Sequence, residues 1–185
     1  MRHRKAGAPH AAPDRLREAA VFVLFTEHNG VASVLLIRRP QDSGRHRGEW
    51  AFPGGVREVG DSSFLDTAYR ETEEELGISA SAIERWGELE PVATVASGFV
   101  VWPFTGRLKS GTAITPSPRE VHEVARMPLK TFISLENRRS IVVHRNASVR
   151  ALHAYEQGGR VIWGATARIL AQIFEDQGAP EAANA

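Results

Sequence analysis

The chain has no cysteine, which excludes disulfides, zinc–thiolate sites and thiol nucleophiles, so any bound metal must be held by oxygen or imidazole. It has no apolar run approaching the roughly 20 residues that a membrane-spanning helix needs. Its first residues, MRHRKAGAPHAAPDRLR, lack the apolar middle of a secretory signal. A soluble, cytoplasmic protein without a membrane partner is the expectation. An excess of charge is absent as well, since 23 basic and 22 acidic residues leave a formal net charge of +1. That gives no global electrostatic footprint for a nucleic-acid polymer. There is no Gly-x-Gly-x-x-Gly and no Ser-His-Asp arrangement, and His122, His144 and His153 lack metal-ligand spacing.

What is present fits one domain. At 185 residues, with 42% hydrophobic and 24% charged content, the chain can bury a full core. No repeat or long linker divides it. Residues 1–17 read as a disordered leader, 18–176 as a single domain and 177–185 as a disordered tail. The β-branched and aromatic run from Ala19 to Phe25 and the segment VASVLLIRR flank an Asn-Gly pair, the signal of a hairpin. After the polar loop PQDSGRHRG, a short strand from Glu49 to Phe52 ends at Pro53-Gly54-Gly55. Further strands are expected within residues 84–108, near Ile141–Val143 and over Val149–Tyr155. A short helical piece is expected around Leu129–Ile133 and a helix over Thr166–Phe174. Trp163, Ile169, Leu170 and Ile173 read as core.

The strongest local pattern lies between Ser62 and Leu76. Leu65, Ala68, Tyr69, Thr72 and Leu76 recur at spacings of three and four, and Gly77 is placed as a C-terminal cap. The same segment packs Glu71, Glu73, Glu74 and Glu75 into five positions. At about 100° per residue, Glu75 lies about 40° to one side of Glu71 and Glu74 about 60° to the other, whereas Glu73 is about 160° away. Three carboxylates therefore share a stripe beside the apolar face. Such crowding is unfavourable for a packed helix unless a hard divalent cation is held there, although an acidic cluster alone is more often a solvated face.

The run from Gly55 to Ile78 supplies the context, because Gly55, Asp61, Arg70, Glu71, Glu74, Glu75, Gly77 and Ile78 resemble the Nudix box. Asp61 stands for the usual first glutamate, Thr72 for an aliphatic residue, and Gly55 to Arg70 is one residue longer than the general spacing. The longer spacing is similar to that of the coenzyme A pyrophosphatase branch. So is the upstream LLIRRPQDSGRHRGEWAFPGG, in which Leu35, Leu36, Arg39, Gly48, Phe52, Pro53, Gly54 and Gly55 match that branch's signature. Ile37, Pro40 and Gly44 depart from it, Gly44 standing where an arginine is usual. Arg45, His46 and Arg47 are expected to supply the positive charge instead.

The resemblance implies an α/β fold, an α/β/α sandwich around a mixed β-sheet. It implies an enzyme that hydrolyses a nucleoside diphosphate linked to another group, with Mg2+ or Mn2+ as cofactor. By motif position, Glu71 and Glu75 are the first metal ligands, Glu74 and the Gly54 carbonyl further ones, and Arg70 orients the carboxylates. Asp61 either joins the metal shell or fixes the loop. The general base is drawn from Glu74, Glu120 and Glu123. Arg39, Arg45, His46 and Arg47 are expected on the substrate's phosphate. Coenzyme A or its thioesters lead as the small-molecule substrate. ADP-ribose, NADH or a nucleoside triphosphate is the alternative, and a ligand-sensing module without chemistry is a third. Oligomeric state is left open, a homodimer included.

Overall fold

The computed structural model describes residues 16–41, 48–94, 98–145 and 148–175. The expected leader and tail therefore fall almost wholly outside the described residues, and Arg45, His46 and Arg47 do so entirely.

Strands β1 (Arg17–His28) and β2 (Val31–Arg38) form the expected hairpin. Asn29 and Gly30 close it with φ of 51° and 74°, the left-handed pair that a two-residue turn between twisted strands requires. Strand β3 (Trp50–Ala51) pairs with β2, and β4 (Gly54–Val56) pairs with β1. Across the first helix, α1 (Phe64–Leu76), the chain continues into β5 (Ile83–Glu88), β6 (Val92–Thr94) and β7 (Phe99–Leu108). Strand β7 lies parallel to β1 along its length, from Arg17↔Phe99 to Phe25↔Arg107. The other pairings of this sheet are antiparallel, so the sheet is mixed, in the order β3-β2-β1-β7-β5.

Alternation along β1 builds both layers. Ala20, Phe22 and Leu24 point to one face and pack with Ala68 and Leu76 of α1. Val23 points to the other, into a cluster holding Ile169 and Leu170 of α3 (Gly164–Phe174). A strand buried on both faces reads as a continuous apolar run, which is how this segment looks in the sequence. Helices on both faces give the α/β/α arrangement. Ile169 and Leu170 are buried as expected, and Ile173 packs at the edge of the same cluster.

Helix α1 begins where Ser63, in an extended conformation, accepts a hydrogen bond from Asp66 N at 3.1 Å through its Oγ, a cap worth about 1 kcal/mol. It ends at Gly77, whose φ of 66° turns the backbone so that its N–H donates to the Glu73 carbonyl. Ala68, Thr72 and Leu76 are fully buried, so the stripe has the phase that the periodicity implies.

The expected strands near Ile141–Val143 and over Val149–Tyr155 are present, but two features escape the sequence reading: a strand that follows Val121–His122, and the grouping of the last three strands into a sheet of their own. Strand β8 (Glu123–Pro128) pairs with β2; its six residues carry charges at Glu123 and Arg126 and end in proline, which blurs the alternation of buried Ala125 and Met127. Beyond the short α2 (Lys130–Ile133), β9 (Arg138–Arg145), β10 (Ser148–Gln157) and β11 (Arg160–Trp163) form a separate antiparallel sheet. Tyr155 and Ile162 dock it onto the α3-side core.

Candidate active site

The site grows from the turn between β3 and α1. Gly54 has φ of 146° and lies against β1 so closely that a Cβ would overlap the Ala20 carbonyl oxygen. Only glycine fits. Its backbone N–H donates to Glu75 Oε2 at 2.9 Å, and its carbonyl accepts from Arg39 Nη2 at 3.0 Å. At Gly55 a Cβ would overlap the Glu71 carboxylate. These two glycines let the helix carboxylates reach the strand backbone.

Arg70 organises the cluster. Its Nε donates to Asp61 Oδ1 at 3.0 Å, and its Nη2 to Asp61 Oδ2 at 3.0 Å and to the Val56 carbonyl at 3.1 Å. Its Nη1 donates to Glu71 Oε1 at 2.9 Å and Glu74 Oε2 at 3.0 Å. A guanidinium has five N–H donors, and each has an acceptor here. Arg70 thus orients three carboxylates and ties the loop to the helix.

Asp61 is buried, and its Oδ2 also accepts from Glu58 N at 2.8 Å and Thr67 Oγ1 at 2.9 Å. The Arg70 hydrogen bonds, opposed by burial and helped by Glu58 N–H and Thr67, hold its carboxyl well below the usual carboxylate range. Of its two expected roles, the one the geometry supports is fixing the loop. Thr67 had no signal in the sequence as a site residue, since it reads as a neighbour of the apolar stripe.

The remaining carboxylates differ sharply in environment. Glu75 is 3% exposed. Burial pushes its pKa up to about 8, against the pull of Arg39 and the Gly54 N–H, while Glu71 and Glu120 push the same way as burial. Glu71 is also raised, by burial first, with Arg70 opposing. Glu74 is exposed on the flank of the cluster. Glu73 is exposed and forms no part of it, in line with the helical phase.

Glu120 and Glu123, neighbours in sequence, part company in the fold. The loop carrying Glu120 is pinned to the end of α1, with Thr115 N donating to the Leu76 carbonyl at 2.8 Å and Ser117 N to the Glu75 carbonyl at 2.9 Å. Glu120 is exposed there, near enough to bear on Glu75. Glu123 is bound instead by Arg160 Nη2 at 2.7 Å and approached by Arg38 Nη1 at 3.8 Å. Arg160 comes from the second sheet, and nothing local in the sequence marks it.

Oxygen donors of Glu71, Glu74, Glu75 and Gly54 suit a hard divalent cation such as Mg2+ or Mn2+. A buried carboxylate beside a second one is the electrostatic situation that such a charge relieves. Among the described residues no three Asp, Glu or His side chains already converge as a ligand set. Arg70 holds Glu71 and Glu74, and Gly54 N–H holds Glu75.

The NUDIX domain model matches residues 15–147 of this chain. A relative from Photorhabdus laumondii subsp. laumondii, named an uncharacterized Nudix hydrolase NudL, is 34% identical over 167 residues, spanning 90% of this chain and 88% of the relative. Among solved structures, a MutT/nudix family protein from Enterococcus faecalis superposes with a TM-score of 0.59 at 18% identity, over 91% of this chain and 63% of that one. The NUDIX domain of Shewanella oneidensis NrtR complexed with ADP ribose superposes at 0.52 with 26% identity, over 67% of this chain and 79% of that one. No described helix is long and apolar enough to cross a membrane.

Proposed function

The chain belongs to the NUDIX domain family, and from that premise we propose that it is a divalent-cation-dependent hydrolase that cleaves the diphosphate of coenzyme A or its thioesters. The products are 3′,5′-adenosine bisphosphate and the 4′-phosphopantetheine derivative. The observation that carries the chemistry is the buried Glu75, joined to the Gly54 peptide and lying beside Glu71 on one face of α1. Retention of this machinery speaks against a module that only senses a ligand. The run from Leu35 to Gly55, with its coenzyme A pyrophosphatase-like spacing, supports the substrate.

Glu71, Glu75, Glu74 and the Gly54 carbonyl would hold the cation. When bound, Mg2+ or Mn2+ neutralises the diphosphate oxygens and lowers the barrier to attack on phosphorus. Arg70 orients the carboxylates and keeps Glu71 from drifting off the Gly55 backbone. Asp61, anchored by Thr67 and Glu58 N–H, fixes Arg70 in turn. Arg39 and the Arg45–Arg47 loop offer forked, charge-assisted donors to phosphate oxygens. Glu120 takes the proton from the attacking water: it is exposed beside the cluster, whereas Glu74 is paired with Arg70 and Glu123 with Arg160. Water's oxygen bonds to one phosphorus, the bridging P–O bond breaks, and the other phosphate leaves.

A product-resolved panel of coenzyme A, acetyl-coenzyme A, ADP-ribose, NADH and nucleoside triphosphates, each with Mg2+ and with Mn2+, tests this reading. The highest kcat/KM is expected for coenzyme A or its thioester. Turnover of ADP-ribose far above coenzyme A would move the protein to the alternative substrate class, the one suggested by likeness to the ADP-ribose-bound NrtR domain.

A further inference from the structure

Arg39 stands just beyond β2, its backbone N–H held by the Glu49 carbonyl at 3.1 Å. Its Nη2 lies 3.0 Å from the Gly54 carbonyl oxygen, while the N–H of the same residue holds Glu75 at 2.9 Å. One glycine therefore links a guanidinium to a buried carboxylate. Arg70 has no donor left for Glu75, because its five are taken by Asp61, Glu71, Glu74 and Val56. The charge of Arg39 bears on Glu75, and it bears on Glu71 as well.

We propose that Arg39 is the counter-cation of the carboxylate cluster: by holding the Gly54 carbonyl it opposes divalent-cation binding there, and it is released toward the substrate's phosphate once the cation binds. This rests on the functional reading above, in which Gly54, Glu71 and Glu75 hold the cation. The physical reason is competition for one oxygen. A guanidinium and a divalent cation that both approach the Gly54 carbonyl repel each other, and the low-dielectric setting of Glu75 strengthens that repulsion. The divalent ion offers the carboxylates more charge than the guanidinium does. A displaced arginine keeps its forked donors, and a substrate phosphate is the acceptor that suits them. Arg39 thereby couples the order of binding, cation first and diphosphate second.

The test is Mn2+ binding to the full chain without substrate, read from the loss of the free-ion EPR signal, in wild type, Arg39→Ala and Arg39→Lys. Arg39→Ala should bind Mn2+ more tightly by about tenfold or more, a modest fraction of the repulsion between charges at such separations. Arg39→Lys, which keeps the charge without the fork, should fall between. The KM for the diphosphate substrate should rise in Arg39→Ala, a split that a merely structural role would not produce. Equal or weaker Mn2+ binding in Arg39→Ala, with wild type binding normally, overturns the inference and leaves the proposed function standing. No Mn2+ binding by wild type overturns the metal site itself and the inference with it. Where Arg39→Ala does not fold without metal, Arg39→Gln removes the charge while keeping a donor for Gly54, and an unchanged affinity there overturns the inference equally.

Discussion

Glu75 is the group on which stability and activity are set against each other. Burial, first among the causes, pushes its carboxyl from 4.5 up to about 8. A group whose folded pKa lies above its unfolded value contributes stability that is fully present below the unfolded pKa and lost as pH rises toward the folded one. The window here runs from about pH 4.5 to about pH 8. At about 1.4 kcal/mol per pKa unit the full gap amounts to about 5 kcal/mol, and relaxation of the site reduces this to a few kcal/mol. Glu75→Gln removes the titration while keeping an oxygen for the Gly54 N–H. With metal chelated, urea midpoints of wild type and Glu75→Gln should lie close together near pH 5, and the variant should be the more stable by a few kcal/mol near pH 8.5, with m unchanged. Added Mg2+ should restore the wild type at high pH and leave the variant unmoved, while turnover of the variant falls by orders of magnitude. An identical pH dependence of the two midpoints would refute the burial argument. Near-normal turnover of the folded variant at saturating substrate would refute the role of Glu75 as a metal ligand.

Asp61→Asn should destabilise the fold by about 3 kcal/mol, the order expected on breaking a buried pair, because it removes the charge facing Arg70 and sets an amide NH2 against donors that now meet a carboxylate oxygen; a change in the urea midpoint equivalent to less than about 1 kcal/mol would show that the loop does not depend on it. Glu73→Gln should leave turnover within a few-fold of wild type, since Glu73 is exposed away from the cluster, and a collapse in kcat without loss of stability would show that the cluster extends further round α1. Dephospho-coenzyme A should be cleaved with a lower kcat/KM than coenzyme A, and removing the charges of Arg45 and Arg47 should narrow the gap. Equal efficiencies in the wild type would sink 3′-phosphate recognition by that loop.

The sequence by itself determined the features that depend on neighbours along the chain. The Asn29-Gly30 turn, the span and phase of α1, its cap at Gly77 and the shared stripe of Glu71, Glu74 and Glu75 are all periodicities or local dihedral demands. The spacing from Leu35 to Ile78 placed the chain in its family for the same reason, since a loop-helix motif is read in one dimension. Tertiary structure alone decided the environment of each carboxylate. Glu75 became the most perturbed of the cluster because α1 lies against the Gly54 backbone of β4, and Glu71 because Gly55 has no Cβ to keep it away. Glu120 and Glu123, two candidates three residues apart for one role, were separated by contacts with segments that precede and follow them in the chain. The carbonyls at the end of α1 hold the first's loop, and Arg160 of the second sheet takes up the second. Burial and long-range ion pairing depend on segments brought together only when the whole chain packs, and no spacing along the chain encodes which acid will be buried or which arginine will meet it.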